Sequence, residues 1–268
     1  MNLIKKLISE MFRYGICSNQ QLLSDIVSKN VAEYYEGVAE NKCFEQFRNI
    51  NAGKTVVLMG TGPTVEKFIP IKDAIYIGVN RCALYKKVKY DYMFMQDYAA
   101  VKEYINEMKK EEFNETIKFY GIIPMTYKAE IFGGASCSIP NSIALEHHAY
   151  RYYVPMNWGF QDRYPLNISN GIMAVAGSVI GPAFQFALYT NPKTLYIVGC
   201  DLTSGHFGGD NIPSSDLSDL VFWKNNKEFA EVWYPDTEII SVNPIGLKGL
   251  FDHEIYTENG GYVENINV

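Results

Sequence analysis

The feature that most constrains the fold is a short apolar run that ends abruptly in a glycine-rich turn. The segment 55–59 reads TVVLM, and its length and β-branched content predict a buried strand. The turn that follows consists of Gly60, Thr61, Gly62, Pro63 and Thr64. Apolar residues then recur at helical spacing as Val65, Phe68 and Ile69, which predicts a helix after the turn. A strand, a glycine turn and a helix in this order open a doubly wound α/β sheet.

Further apolar runs continue this pattern along the chain. Strands are expected at 74–79, 90–95, 117–121, 194–198 and, as the last strand, 238–242. Helices are expected at 100–111, 177–188 and 221–233. The segment 124–170 lacks periodicity and predicts an irregular insertion, while the glycine- and serine-rich segment 203–219 predicts a loop that can act as a lid. The predicted fold class is therefore α/β, with a doubly wound, mainly parallel sheet and a partly irregular lid region.

The first 50 residues have a different pattern from the rest of the chain. Leu3, Leu7 and Met11 recur at helical spacing, with lysines and a glutamate between them. We therefore expect a helical N-terminal extension at 1–50 and one α/β domain at 51–268. The extension is expected to pack on the domain, and contact with a membrane surface or a partner is the alternative.

Composition narrows the classes of function. The net charge is −6 and the pI is about 5.3, which disfavours nucleic-acid binding because phosphate neutralisation needs a basic face. The five cysteines are scattered without a CxxC motif, which indicates reduced thiols and no zinc site. Neither a secretory signal nor a run of about 20 apolar residues is found. A cytoplasmic protein is expected, with the N-terminal helix free to touch the inner face of the membrane.

Polar residues follow four of the predicted strands. In a parallel sheet, ligands collect at the carboxyl ends of the strands, where these residues are expected to meet. They are Gly60-Thr61, Asn80-Arg81, Gln96-Asp97 and Gly199-Cys200-Asp201. Glycines at a helix N-terminus allow close approach of an anion such as a phosphate. The third glycine of GxGxxG is missing and no GKS or GKT follows, so a dinucleotide fingerprint and a P-loop are disfavoured, and a plain tight turn is the alternative.

Several of these segments together resemble a known family. VVLMGTGPT followed by IYIGVNRC, and GSVIGPAFQFAL followed by TLYIVGCDLTSG, resemble the bacterial sialyltransferases that use CMP-sialic acid and their wider Rossmann-like glycosyltransferase relatives. SVNPIGLKGLF resembles the closing strand and turn of that group, and the resemblance covers residues 55–250. It implies a GT-A-like variant of the Rossmann-like fold, and transfer of sialic acid or a similar acidic sugar from a CMP-sugar donor to a glycan acceptor. It also implies a place in cell-surface polysaccharide biosynthesis and allows a homo-oligomer.

The resemblance also implies roles for individual residues. The turn residues Gly60, Thr61 and Gly62, with Pro63 and Thr64 beside them, would face the nucleotide phosphate and ribose. Asn80 would contact the donor sugar or phosphate, and Gln96 would add a further polar contact. Arg81 and Asp97 are predicted to bind the donor because they lie beside these residues at the strand ends. Gly177 and Ser178 match small residues that would hold the donor. Cys200 and Asp201, with Gly199 before them, would lie near the nucleobase and the ribose.

Three departures from the family pattern affect the expected binding and catalytic groups. Thr61 stands where the family usually has Asn, and Thr203 stands where it has a Tyr that stabilises the leaving phosphate. The family's histidine base is also missing from 208–222, whereas His206 lies just before this stretch. His206 is thus the candidate base or phosphate partner, with Thr203 and Asp201 as the other catalytic candidates. An incidental loop histidine is the alternative, and the base would then lie in Asp97, Asp201 or 124–170.

His147 and His148 lie in the predicted insertion and are weaker candidates. No DxD motif is present, so metal-independent transfer without a cofactor is expected. Two alternatives stay open. The first is a Mg²⁺-dependent pyrophosphokinase of the 6-hydroxymethylpterin type, from a related group with the same G-x-G-P turn, and the second is a non-catalytic nucleotide-binding protein. Metal dependence separates the first alternative from glycosyl transfer.

Overall fold

A nine-stranded sheet organises the part of the chain that the computed structural model describes, namely residues 44–122, 138–153, 168–169, 171, 173, 178–202, 205–209, 218–256 and 262–263. The strands are β1 (Thr55–Met59), β2 (Ile75–Val79), β3 (Tyr92–Met95), β4 (Ile117–Ile122), β5 (Tyr150–Tyr153), β6 (Thr194–Val198), β7 (Glu238–Val242), β8 (Asp252–Tyr256) and β9 (Tyr262–Val263). The predicted extension lies outside the described residues up to position 43, as do Gly177 and Thr203.

Within these described ranges, four α-helices and several 3₁₀ turns connect the strands. The helices are α1 (Tyr98–Ile105), α2 (Asn141–Glu146), α3 (Ile180–Tyr189) and α4 (Ser218–Trp233). The 3₁₀ turns are Phe44–Phe47, Pro63–Lys67, Asn80–Leu84, Glu107–Lys109 and Glu111–Phe113. None of the helices in the described ranges is both long and apolar enough to span a membrane.

The strand order defines a topological switch point between β1 and β6. The order is β5-β4-β3-β2-β1-β6-β7-β8-β9, and every neighbouring pair is parallel except β8 with β9. The chain therefore moves outward from β1 to β5 and then crosses back to the other side of β1. The pairing of β1 with β6 runs from Thr55↔Thr194 to Met59↔Val198, so both strands end at the same level. The predicted α/β fold with a doubly wound, mainly parallel sheet is confirmed.

Several predicted elements differ from the observed ones. The helix expected after the glycine turn is only a 3₁₀ turn at Pro63–Lys67, and the backbone is already extended at Phe68. Pro70 explains this ending, because a proline disfavours helical geometry in the residue before it. The helix expected at 100–111 ends at Ile105 and is followed by two 3₁₀ turns.

Two regions contain more regular structure than the sequence predicts. The segment 124–170 was expected to be irregular, but its described part contains α2 and β5. The strand at 238–242 was expected to be the last, but β8 and β9 follow it. β5 and β8 extend the parallel sheet at opposite ends, with β5 beside β4 and β8 beside β7.

Helix α3 covers the centre of one face of the sheet. All ten of its residues are buried, and it contacts β1 and β2. The Phe186 ring lies 5.2 Å from that of Phe94 and 4.8 Å from that of Phe119, measured between centroids. Phe44 and Phe47, which precede the predicted domain boundary, are 1% and 2% exposed and join the same core. The 50/51 boundary itself stays a prediction.

Candidate active site

The carboxyl ends of β1 and β6 are joined by hydrogen bonds at the switch point. The Gly60 amide donates to the Val198 carbonyl at 2.7 Å, and the Gly62 amide donates to the Gly199 carbonyl at 2.8 Å. Ligands of open α/β sheets bind in the crevice at such a point. The glycine turn was expected to bring the backbone close to a phosphate, but the amides of Gly60 and Gly62 both donate within the protein.

The glycines of the turn are required by its packing against the end of β6. A Cβ at Gly60 would lie 2.5 Å from the Gly199 carbonyl oxygen and 2.9 Å from the Cys200 sulfur. A Cβ at Gly62 would lie 2.6 Å from the carboxyl carbon of Asp201. Packing therefore explains why these positions carry no side chain, and direct contact of either glycine with a ligand stays a prediction.

Asp201 connects the loop after β6 to the glycine turn. One carboxylate oxygen accepts from the Thr64 amide at 2.9 Å, and the other accepts from the Thr64 hydroxyl. The side chain is 3% exposed, and this burial raises the pKa of Asp201, while the two hydrogen bonds oppose the shift. Because both oxygens are occupied, the geometry favours a structural role for Asp201 over the predicted catalytic one.

The predicted base, His206, lies directly beside the turn. Its Nδ1 is 2.8 Å from the Thr61 hydroxyl, and the imidazole is exposed. The next amide, that of Phe207, donates to the Thr61 carbonyl at 2.9 Å. The structure thus joins two residues that the sequence proposed for separate roles.

The residues after His206 are anchored to the end of β2 and to the glycine turn. Arg81 Nε donates to the Phe207 carbonyl at 3.1 Å, and its guanidinium carbon is 5.7 Å from the centre of the Phe207 ring. The buried Phe207 ring also meets Tyr85 at 5.7 Å. The Gly208 amide donates to Glu66 at 2.8 Å. Arg81 was predicted to contact the donor, whereas Phe207, Tyr85 and Glu66 carried no signal in the sequence.

Two amide side chains lie at the ends of the next strands. Asn80 follows β2 with a φ of 42°, a left-handed conformation that asparagine tolerates better than most residues. Its Oδ1 is buried, as is the Oε1 of Gln96 after β3, and neither oxygen has a hydrogen-bond partner within the described structure. Buried acceptors without donors are uncommon and costly, so both oxygens fit a hydroxyl or amino group of a ligand, or a water.

The other predicted residues lie at the same carboxyl edge of the sheet. Pro63 is the first residue of the 3₁₀ turn, and the carbonyl of Asp97 accepts from Val101 at the start of α1 at 3.0 Å. Ser178 is exposed just before α3. Helix α3 leads at its far end into β6, so its first residues lie at the carboxyl edge of the sheet.

Two thiols lie beneath the glycine turn. The Cys82 thiol is 3.2 Å from the carbonyl oxygens of Met59 and Gly60, to which it can donate, and burial raises its pKa to about 12. Burial also raises the pKa of the Cys200 thiol. Both thiols are therefore protonated at neutral pH and suit packing better than nucleophilic chemistry. Among the described residues, no group of three His, Cys, Asp or Glu side chains is arranged to hold a metal ion.

His147 and His148 lie at the opposite edge of the sheet, just before β5 begins. His147 Nδ1 is 2.6 Å from the Tyr120 hydroxyl, and burial lowers its pKa. Both histidines line a groove of about 500 Å³ at this amino edge, away from the switch point. Neither belongs to the cluster around His206.

No protein-family model matches this sequence, and no curated protein is significantly similar to it. Among solved structures, the MAf glycosyltransferase from Magnetospirillum magneticum is 14% identical with a TM-score of 0.46, over 77% of this chain and 38% of that one. The sialyltransferase CstII from Campylobacter jejuni, solved with the substrate analogue cytidine-5'-monophosphate, is 14% identical with a TM-score of 0.38, over 71% and 80%. The monofunctional alpha-2,3-sialyltransferase Cst-I from the same organism is 13% identical with a TM-score of 0.44, over 81% and 85%.

Two of these proteins are sialyltransferases, the group that the sequence motifs resemble. This chain spans 38% of the length of the Magnetospirillum protein.

Proposed function

We propose that this chain is a glycosyltransferase that moves a sugar from a nucleotide donor to a hydroxyl of a glycan acceptor. The observation that carries the proposal is the position of His206, held beside Thr61 at the switch point. At the ends of the next two strands, Asn80 Oδ1 and Gln96 Oε1 have no partner among the described residues, and they offer acceptors for donor hydroxyl or amino groups. The motif resemblance supplies the donor class, a CMP-linked sialic acid or similar acidic sugar.

The proposed reaction needs a base and a stabilised leaving group. His206 takes the proton of the acceptor hydroxyl, the oxygen attacks the anomeric carbon, and the bond from that carbon to the CMP phosphate breaks. Thr203 and Ser178 are the proposed hydrogen-bond donors to the departing phosphate. The reaction is proposed to proceed in the cytoplasm without a metal ion or another cofactor, with no nucleic acid as a partner.

Donor class is tested by thermal unfolding with CMP, UDP, GDP, ADP and their sugars. A ligand at a hundredfold excess over its Kd adds roughly 2.7 kcal/mol to the free energy of unfolding. CMP and a CMP-sugar are proposed to bind most tightly, so at equal concentration they are expected to give the largest rise in unfolding temperature. Transfer to a glycan is then measured with and without EDTA. Transfer that persists in EDTA supports the proposal, whereas absence of glycan transfer together with Mg²⁺-dependent transfer of diphosphate from ATP would favour the pyrophosphokinase. Binding of a nucleotide without any turnover would favour a non-catalytic protein.

A further inference from the structure

The backbone around His206 is fixed despite the glycines near it. Gly205, Gly208 and Gly209 surround a dipeptide whose second residue is held from three sides. The Phe207 amide donates to the Thr61 carbonyl, and the Phe207 carbonyl accepts from Arg81. The Phe207 ring is buried against Tyr85. The position of the His206 Cα is thus set by the glycine turn and by the segment after β2.

The orientation of the imidazole depends on one further contact. Thr61 Oγ1 lies 2.8 Å from Nδ1, and a single hydrogen occupies that contact. A neutral imidazole has one donor and one acceptor nitrogen, so the direction of this hydrogen bond decides the state of Nε2. When Nδ1–H donates to the hydroxyl oxygen, Nε2 keeps its lone pair and can accept a proton. An imidazolium can only donate to Thr61, and the hydroxyl oxygen can accept this bond in both protonation states.

From this geometry we infer that Thr61 is a positioning residue that holds His206 with Nδ1 protonated and Nε2 as the proton-accepting atom. The inference rests on the proposed function for the role of Nε2, but the orientation of the ring can be tested without substrate. Thr61 and His206 are two positions where the chain departs from the pattern of the family that its motifs resemble. The contact between them gives these two departures a common explanation. The Thr61 hydroxyl hydrogen is left free to donate to a ligand oxygen.

The matched variants are Thr61→Val, which removes the hydroxyl at nearly constant volume, and Thr61→Ser, which keeps it. The ring nitrogens of His206 are observed in the full-length protein by long-range ¹H–¹⁵N NMR, with His206→Gln to assign the signals among four histidines. The parent and Thr61→Ser are expected to show Nδ1 protonated. Thr61→Val is expected to shift the neutral ring toward protonation at Nε2, because the Nδ1–H group loses its acceptor.

Activity gives the second readout. Thr61→Val is expected to lower kcat about tenfold, the loss of one hydrogen bond, whereas Thr61→Ser is expected to keep kcat near the parent value. The inference is overturned if Thr61→Val leaves the tautomer of His206 unchanged, or if Thr61→Ser is as defective as Thr61→Val. Protonation at Nδ1 that depends on Thr61, in a protein without transferase activity, would support the positioning role and overturn the proposed function alone.

Discussion

His206 is the side chain on which the proposed chemistry depends most. A general base typically contributes about 10²–10⁴-fold, so His206→Ala is expected to lower kcat within that range and to leave the donor Kd within a few-fold. Steady-state kinetics and donor titration measure the two quantities. The control is His148→Asn, because His148 is exposed at the opposite edge and its φ of 50° suits asparagine. Reduced donor affinity with kcat intact would make His206 a binding residue.

The buried carboxyl of Asp201 is expected to make the stability of the protein depend on pH. Burial raises the folded-state pKa of Asp201 above the ordinary 3.8. The protonated carboxyl therefore stabilises the folded state in full below pH 3.8, and this stabilisation is lost as the pH rises through the raised pKa. Asp201→Asn can still pair with the Thr64 amide and hydroxyl, but it does not titrate. In urea unfolding, we therefore expect the free energy of unfolding of the parent to rise relative to that of Asp201→Asn as the pH is lowered from about 7 to about 4. A parent that loses stability relative to the variant over this range would contradict the burial argument.

Candidate site residues could be predicted from the sequence where they end a strand, and their partners could not. Gly60, Asn80 and Asp201 follow apolar runs, and the parallel topology places them at one edge. The contact of Thr61 with His206 spans 145 positions and depends on how the loop after β6 folds back. No local pattern encodes that return.

At the scale of elements, the glycine turn and the end of β6 form one unit. A methyl group at Gly60 would meet the Gly199 carbonyl and the Cys200 sulfur, neither of which is the far end of a flexible chain. Gly60→Ala is therefore expected to lower the free energy of unfolding by about 1–3 kcal/mol. The control is Gly209→Ala, because a Cβ there lies 3.4 Å from its nearest neighbour, the His206 carbonyl oxygen. Equal losses in urea unfolding would show that the turn tolerates the added methyl group.

The two strands at the centre of the sheet, β1 and β6, were predictable to the residue. Their continuous apolar runs are typical of a parallel sheet whose faces are both covered. β5, with the sequence YRYY, and β8, with DHEIY, contain charged residues and lie toward the ends of the parallel sheet, so they lack that signature. The apolar spacing after the glycine turn predicts a helix, but only a 3₁₀ turn forms at Pro63–Lys67, because Pro70 disfavours continued helical geometry.

At the scale of the whole molecule, the sequence predicts the class of sheet but not its order. Alternating strands and helices imply parallel pairing, whereas the return of the chain to β6 beside β1 depends on which faces α3 and α4 cover. That return places the switch point, and with it the cluster around His206. The 3₁₀ turn Phe44–Phe47 lies before β1 in the sequence, but its phenylalanines contact β4 and β5, which follow much later in the chain. This turn thereby completes the face of the sheet that α3 covers.

Phe47 allows this closure to be tested. Its ring lies 6.0 Å from Tyr92, 5.5 Å from Phe119, 5.2 Å from Tyr150 and 5.3 Å from Phe186, so it joins β3, β4, β5 and α3. Replacing a buried phenylalanine by alanine typically costs about 3–5 kcal/mol, and we expect Phe47→Ala to lose that much in urea unfolding. Ile50→Ala, in the same segment and 44% exposed, should lose far less. Similar losses for the two variants would mean that a domain starting at residue 51 closes this face without the preceding turn.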